Sequence, residues 1–228
     1  MTPSDEQWTK PKADIESDPA RYLGRTNILV EGIDGSGKDE FVRMLSTTLK
    51  ARFAYNPAHS LAIVGQPAFR YDSTGQVRAL IERGEKCCSL EQAIELLTRN
   101  RQLHEAELSQ YGGVVICLRG ILTELATLAR LFDDAALRTL GQSRMIDLAV
   151  IIDADPQDAY VRICRRTRPP DWRETPEHLA FFRRYYLEHT KPEFIRERIV
   201  FRNDGTLADL DAFASYVADR LEAAWNRV

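Results

Sequence analysis

Gly32-Ile33-Asp34-Gly35-Ser36-Gly37-Lys38-Asp39 follows directly on the apolar run Asn27-Ile28-Leu29-Val30-Glu31 and leads into a segment with Phe41, Met44, Leu45 and Leu49 at helical spacing. A strand, a glycine-rich turn and a helix in that order form a cradle for phosphate. Glycine lets successive backbone N–H groups curl toward one anion. The following helix adds the positive end of its dipole, and Lys38 adds a mobile full charge. The stretch implies a nucleoside triphosphate, with Gly32, Gly35, Ser36, Gly37, Lys38 and Asp39 against it. One position departs from the pattern. The residue after the lysine is usually a Ser or Thr whose hydroxyl holds Mg²⁺, and here it is Asp39.

A chain of 228 residues suits one α/β domain with a small lid, and it is long enough to bury a substantial core. Its 44% hydrophobic and 29% charged residues fit a folded globule rather than a disordered chain. A net charge of −3 argues against a protein that coats nucleic acid. Of the four cysteines, Cys87 and Cys88 are adjacent in a polar stretch, and Cys117 and Cys164 lie in apolar runs. None has metal-ligand spacing, so thiols of a reducing compartment are expected. No apolar run approaches the roughly 18 residues of a membrane helix, and Met1-Thr2-Pro3-Ser4-Asp5 carries no signal-peptide pattern. The expectation is a cytoplasmic protein with no membrane partner.

Residues 1–24 are polar and proline-bearing and read as an N-terminal extension. From 25 to 228, short apolar runs alternate with helical patterns. Strands are expected at 28–31, 61–64, 114–117, 148–152 and 199–201. Helices are expected at 39–53, 74–83, 90–110, 122–132, 134–140, 157–166, 176–189 and 207–227. Apolar strands separated by helices imply a parallel sheet covered on both faces, with ligands at the carboxyl ends of the strands. Arg165-Arg166-Thr167-Arg168-Pro169-Pro170 is too basic and proline-rich for a helix surface and reads as an irregular, mobile loop. Phe181, Phe182, Tyr185 and Tyr186 share helical spacing and are expected in the core, and His104 is expected to be structural.

With these pieces in hand, the chain resembles the thymidylate kinase family of P-loop kinases. The resemblance rests on Glu31 to Lys38, on Asn100-Arg101 with His104, and on Asp147-Leu148 through Asp155-Pro156 into Arg162 and the arginine cluster. It implies a P-loop NTPase three-layer α/β sandwich with a sheet of about five parallel strands. It also implies transfer of the γ-phosphoryl of ATP to a deoxynucleoside monophosphate, with Mg²⁺ as cofactor, in a homodimer. By the same resemblance, Asp34 meets the acceptor sugar, and Arg101 and Arg119 grip the acceptor phosphate. Arg165, Arg166 and Arg168 belong to a lid, about 165–175, that closes over ATP, and Asn203-Asp204-Gly205 forms the turn beneath adenine. Lys38, Asp34, Arg119, Arg165 and Arg168 form the expected catalytic set.

Three departures mark the acceptor side and the metal. The acid that precedes Arg119 in the family is Leu118 here, so Asp39 is left as the expected Mg²⁺ ligand. After strand two the chain has Gly65-Gln66-Pro67 where the family has Arg-Glu-Pro, which leaves Gln66 as the acceptor-side polar residue. Gly120-Ile121-Leu122-Thr123 replaces the family's polar and aromatic residues. Two alternatives therefore stay open beside the monophosphate kinase. One is a kinase for a hydroxymethylpyrimidine, including one in viral DNA, with Asp34 as base and arginines such as Arg70, Arg78 and Arg83 guiding the polymer. The other is a nucleotide-binding protein without turnover.

Overall fold

A computed structural model describes residues 25–53, 61–65, 71–108, 113–133, 145–189 and 194–225. The elements run β1 (Arg25–Glu31), α1 (Lys38–Phe53), β2 (Leu61–Val64), α2 (Gln76–Ile81), α3 (Leu90–Leu108), β3 (Gly113–Leu118) and α4 (Ile121–Phe132). They continue with β4 (Ile146–Asp153), α5 (Pro156–Cys164), α6 (Pro176–Glu188), β5 (Ile195–Arg202) and α7 (Leu207–Trp225). The five strands form one parallel sheet in the order β2-β3-β1-β4-β5. Helices cover both faces, so the expected three-layer α/β architecture is the observed one.

Alternation along the strands divides the core. Ile28 and Val30 of β1, Ile116 of β3 and Val150 of β4 face α1 and α7, where Phe41, Leu45, Leu49, Phe213 and Val217 meet them. Phe213 stacks on Phe201 at 4.4 Å and on Phe41 at 5.2 Å between ring centres. Burying such a ring is worth about 1.5–3 kcal/mol. Leu29, Ala149 and Ile151 point the other way, onto Leu80, Leu97, Leu122, Leu125 and Tyr186 of α2, α3, α4 and α6. Phe182, Tyr185 and Tyr186 are buried as their spacing predicts, and His104 is buried on α3.

Several boundaries differ from the sequence expectation, each for a local reason. Helix α2 begins at Gln76 rather than 74 because Gly75 is left-handed (φ 74), while the Asp72 carboxylate takes the N–H groups of Val77 and Arg78. Helix α5 starts at Pro156, a favoured first position, with Asp155 capping Gln157 at 2.8 Å. Strand β5 extends back to Ile195 through the charged run Arg196-Glu197-Arg198. It is an edge strand, and Arg196 pairs with Asp147 (2.9 Å) and Glu197 with Arg220. The expected helix at 134–140, the extension 1–24 and Gln66 lie outside the described residues. Cys87 and Cys164 are exposed, and none of the four cysteines forms a disulfide.

Strand β1 lies between β3 and β4, so connections leave it in both directions. The crevice at its carboxyl end is where such sheets hold ligands, and the glycine-rich turn sits there.

Candidate functional site

The turn from Gly32 to Lys38 is held from outside by its carbonyl groups. Asn203, at the end of β5, donates its side-chain amide to the Ser36 carbonyl at 2.7 Å. Arg162 of α5 donates to the Gly35 carbonyl at 3.2 Å. Asn203 is itself fixed by its N–H on the Asp153 carbonyl at 2.7 Å. Carbonyls drawn outward leave backbone N–H groups to face an anion inside the curl. Gly35 (φ 78) and Gly37 (φ 93) are left-handed, and a Cβ would stand 2.5 Å from the Ala159 carbonyl oxygen and 2.6 Å from Asn203 Nδ2, respectively. Gly32 opens the turn against the Ile152 carbonyl. Ser36 Oγ is buried with no hydrogen-bond partner. An orphaned hydroxyl in a turn that admits no extra carbon is what a cradle for an anionic ligand presents.

Lys38 is buried and bends back over its own turn, with Nζ 3.1 Å from the Ile33 carbonyl oxygen and 3.3 Å from Asp34 Oδ1. Arg119, just past β3, ion-pairs with the same Asp34 oxygen. Arg119 has φ 62, an unusual value for a side-chain-bearing residue, and its N–H is anchored on the Val30 carbonyl at 2.9 Å. Burial alone would raise the Asp34 carboxyl, but Arg119, then Lys38 and then Arg173 outweigh it and hold the group well below the usual carboxylate range. Burial and the Arg119 charge push the Lys38 ammonium down, with Asp34 opposing. Burial works against the Arg119 guanidinium too, but Asp34 prevails and raises it. Asp34, Lys38 and Arg119 thus form one electrostatic unit.

Glu31 supports that unit from beneath. Its buried carboxylate accepts the N–H of Gly120 (2.8 Å), the N–H of Thr123 (3.2 Å) and the Thr123 hydroxyl (2.6 Å), which also meets the Tyr186 hydroxyl at 3.1 Å. No side chain at Gly120 caps α4, so Glu31 does so from the neighbouring strand and pins the turn that carries Arg119. Burial pushes the Glu31 carboxyl up against these bonds. A lone acid closing an apolar strand was the available sequence signal.

The other expected residues fall in distinct places. Arg101 of α3 makes a buried ion pair with Glu124 of α4, Nη2 to Oε2 at 3.0 Å. Burial pushes the Glu124 carboxyl up, and Arg101 counters it. Nothing in the sequence announced Glu124 as a partner 23 residues away. In the segment expected as a lid, Glu174 is fully buried and accepts Arg166 (2.8 Å), Arg168 (2.6 and 2.7 Å) and the Asp171 N–H (2.8 Å). The Asp-x-x-Glu spacing of Asp171 and Glu174, a capping box here, was a readable signal. Arg165 is exposed. Trp172 pins the segment to α2 through its indole N–H on the Ile81 carbonyl at 3.3 Å. Gly205 lies in the turn before α7, next to the Asp209 carboxylate.

Asp39 is exposed in the first turn of α1, and its charge is felt by both Lys38 and Arg119. Leu118 packs into the α1 and α7 side of the core. Among the described residues, no group of three or more His, Cys, Asp or Glu side chains could hold a metal. A Mg²⁺ ion carried on a triphosphate needs only one or two protein oxygens beside phosphates and waters. The Asp39 carboxylate fits that donor set.

No family model matches the chain, and no curated protein matches its sequence. Its structure is similar to that of thymidylate kinase from Candida albicans, with a TM-score of 0.61, 17% identity, and 88% of this chain and 94% of that one covered. The chain has a thymidylate kinase-like fold. The coverage of both chains means that the similarity takes in most of the chain rather than one motif. No helix among the described residues is long and apolar enough to cross a membrane.

Proposed function

We propose that this chain is an ATP- and Mg²⁺-dependent phosphotransferase that moves the γ-phosphoryl group of ATP to a deoxynucleoside monophosphate of the thymidylate type. The observation that carries the reading is the buried centre in which Lys38 and Arg119 converge on Asp34 at the mouth of the glycine turn. Two buried cations around one carboxylate leave a positive surplus that suits phosphate chemistry, in which positioning and charge neutralisation dominate. The thymidylate kinase-like fold supports the same class.

In this reading the N–H groups of Gly35 to Lys38 hold the β- and γ-phosphates, and Lys38 leaves the Ile33 carbonyl to join them. Asn203 keeps the turn in shape, with Gly205 in the turn beyond it near the base. Asp39 is the residue that would hold Mg²⁺, which supplies charge neutralisation on the phosphates when bound. Arg119 orients the acceptor phosphate, together with Arg101 and Gln66 on the acceptor side. An acceptor oxygen attacks the γ-phosphorus, the bond to the bridging oxygen breaks, and ADP departs with that electron pair. Arg165 and Arg168 balance the charge as the lid closes, for which Arg168 exchanges its bonds to Glu174 for bonds to phosphate.

Asp34 bears on the choice of acceptor. A carboxylate held far below the usual range is a weak proton acceptor. A nucleophile already ionised, such as a phosphate oxygen, suits the centre better than the hydroxyl of a hydroxymethylpyrimidine. The deciding experiment offers γ-labelled ATP, Mg²⁺ and each deoxynucleoside monophosphate, beside 5-hydroxymethyl analogues and hydroxymethylated DNA. Label in a deoxynucleoside diphosphate is the expected result. Label in DNA, or ATP binding without transfer to any acceptor, overturns the reading.

A further inference from the structure

Arg173 has no role in the picture so far, yet among the described residues it is the one arginine with two buried nitrogens that lack a hydrogen-bond partner. It lies in the short 3-10 turn Trp172–Glu174 and is only 7% exposed. Its Nη2 reaches Asp171 at 3.2 Å, but Nε and Nη1 are buried with no hydrogen-bond partner. Leaving guanidinium N–H groups both dry and unpaired is costly. The neighbouring lid arginines are satisfied, since Arg166 and Arg168 both end on Glu174. The charge of Arg173 is felt at Asp34 beside those of Arg119 and Lys38.

Charge bookkeeping around Asp34 gives the inference its direction. Lys38 and Arg119 ion-pair with Asp34, whose carboxylate also feels the charge of Arg173, and the Asp171 carboxylate meets only one nitrogen of Arg173. Arg101, by contrast, already has Glu124 as a buried counter-ion. A buried guanidinium with unused donors beside such a centre is completed by an anion that can accept from it. Lys38 belongs to the glycine turn and so to the donor triphosphate. That leaves Arg119 and Arg173 for a second phosphate.

We propose that Arg173 is a phosphate-binding residue of the acceptor site, where it joins Arg119 in a pair of guanidinium groups that hold a phosphate monoester. The assignment of that phosphate to an acceptor rests on the kinase reading above; the anion site itself does not. Because Arg173 is part of the lid segment, occupancy by a phosphate also ties that segment to the centre around Asp34.

The test separates the two. Protein saturated with a non-hydrolysable ATP analogue is titrated with inorganic phosphate, and then with thymidine monophosphate, by calorimetry. Wild type is compared with Arg173→Met and Arg173→Lys. Arg173→Met is expected to weaken phosphate binding at least tenfold while leaving affinity for the ATP analogue within twofold, and Arg173→Lys to recover part of the loss. Without anion, Arg173→Met is expected to melt no lower than wild type, because it removes two buried N–H groups that have no partner. Unchanged phosphate affinity in Arg173→Met overturns the proposal. So does a fall in melting temperature, or misfolding, that Arg173→Lys also shows, since Arg173 is then structural. If phosphate binding depends on Arg173 but no acceptor is phosphorylated, the site stands and the kinase reading falls.

Discussion

Asp34→Asn is the most informative single change, because it keeps the shape of the side chain and removes the one negative charge between Lys38 and Arg119. Asp34 and Lys38 are both more than nine-tenths buried, and the Arg119 side chain is 12% exposed. Stripping one partner from a buried ion pair costs about 3–5 kcal/mol. For a domain of this size each kcal/mol moves the melting temperature by roughly 2–4 °C, so a fall of roughly 6–20 °C is expected. The loss carries a pH signature. The folded-state pKa of Asp34 is depressed below its ordinary 3.8, so its contribution is complete above about pH 5 and is lost as pH falls further. The stability gap between wild type and Asp34→Asn in urea is therefore widest near neutrality and narrows in acid. A second signature is rescue by anions. With two uncompensated cations, the variant gains stability from inorganic phosphate, by about 2.7 kcal/mol at a hundred times its dissociation constant. A melting temperature within about 3 °C of wild type, or a gap that does not change with pH, would refute the idea that Asp34 is the counter-ion of this centre.

Gly35→Ala is expected to fold but to bind ATP at least tenfold more weakly by calorimetry. The left-handed backbone costs about 1–2 kcal/mol with a Cβ, and that Cβ would sit 2.5 Å from the Ala159 carbonyl, which shifts the turn. Glu174→Ala removes the buried acceptor shared by Arg166, Arg168 and the Asp171 N–H. A loss on the order of 3 kcal/mol and faster trypsin cleavage within 165–173 are expected; unchanged cleavage would mean that Glu174 does not order the lid. Asp39→Ala is expected to raise the Mg²⁺ concentration needed to tighten ATP binding, on the order of tenfold, with metal-free ATP affinity little changed. An unaltered Mg²⁺ dependence would remove Asp39 from the metal.

The architecture was legible because it is written in short-range patterns. Alternating apolar strands and helical spacing predicted the five parallel strands, and Leu61–Val64 appears with the expected bounds. Strand β5 was read too short because charged residues at 196–198 suppress the apolar signal. On an edge strand they are tolerated through Asp147 and Arg220, which lie 49 and 23 residues away. The centre divides in the same way. Asp34 and Lys38 belong to one local motif, and Arg119 was found through a strand end. Glu31 as a helix cap and Glu124 as the partner of Arg101 are pairings across elements, and periodicity carries no trace of them.

Those illegible pairings bear most on how the chain departs from the family it resembles. The arginine that matches the family pattern, Arg101, sits against a buried carboxylate at 3.0 Å. An incoming phosphate would have to compete with Glu124 for it, in a place where separating a buried pair costs several kcal/mol. Arg173, which no motif singled out, faces no such competitor at Nε and Nη1. An anion gains more from a cation whose desolvation is already complete and whose donors are unused than from one that must first give up a partner. Under the proposed function, the weight of phosphate recognition therefore moves from the sheet-backed helix α3 toward the segment that carries Arg173. Positioning of the second phosphate and placement of the lid segment then become a single event, because Arg173 and the Glu174 that gathers Arg166 and Arg168 are consecutive residues of one capped turn.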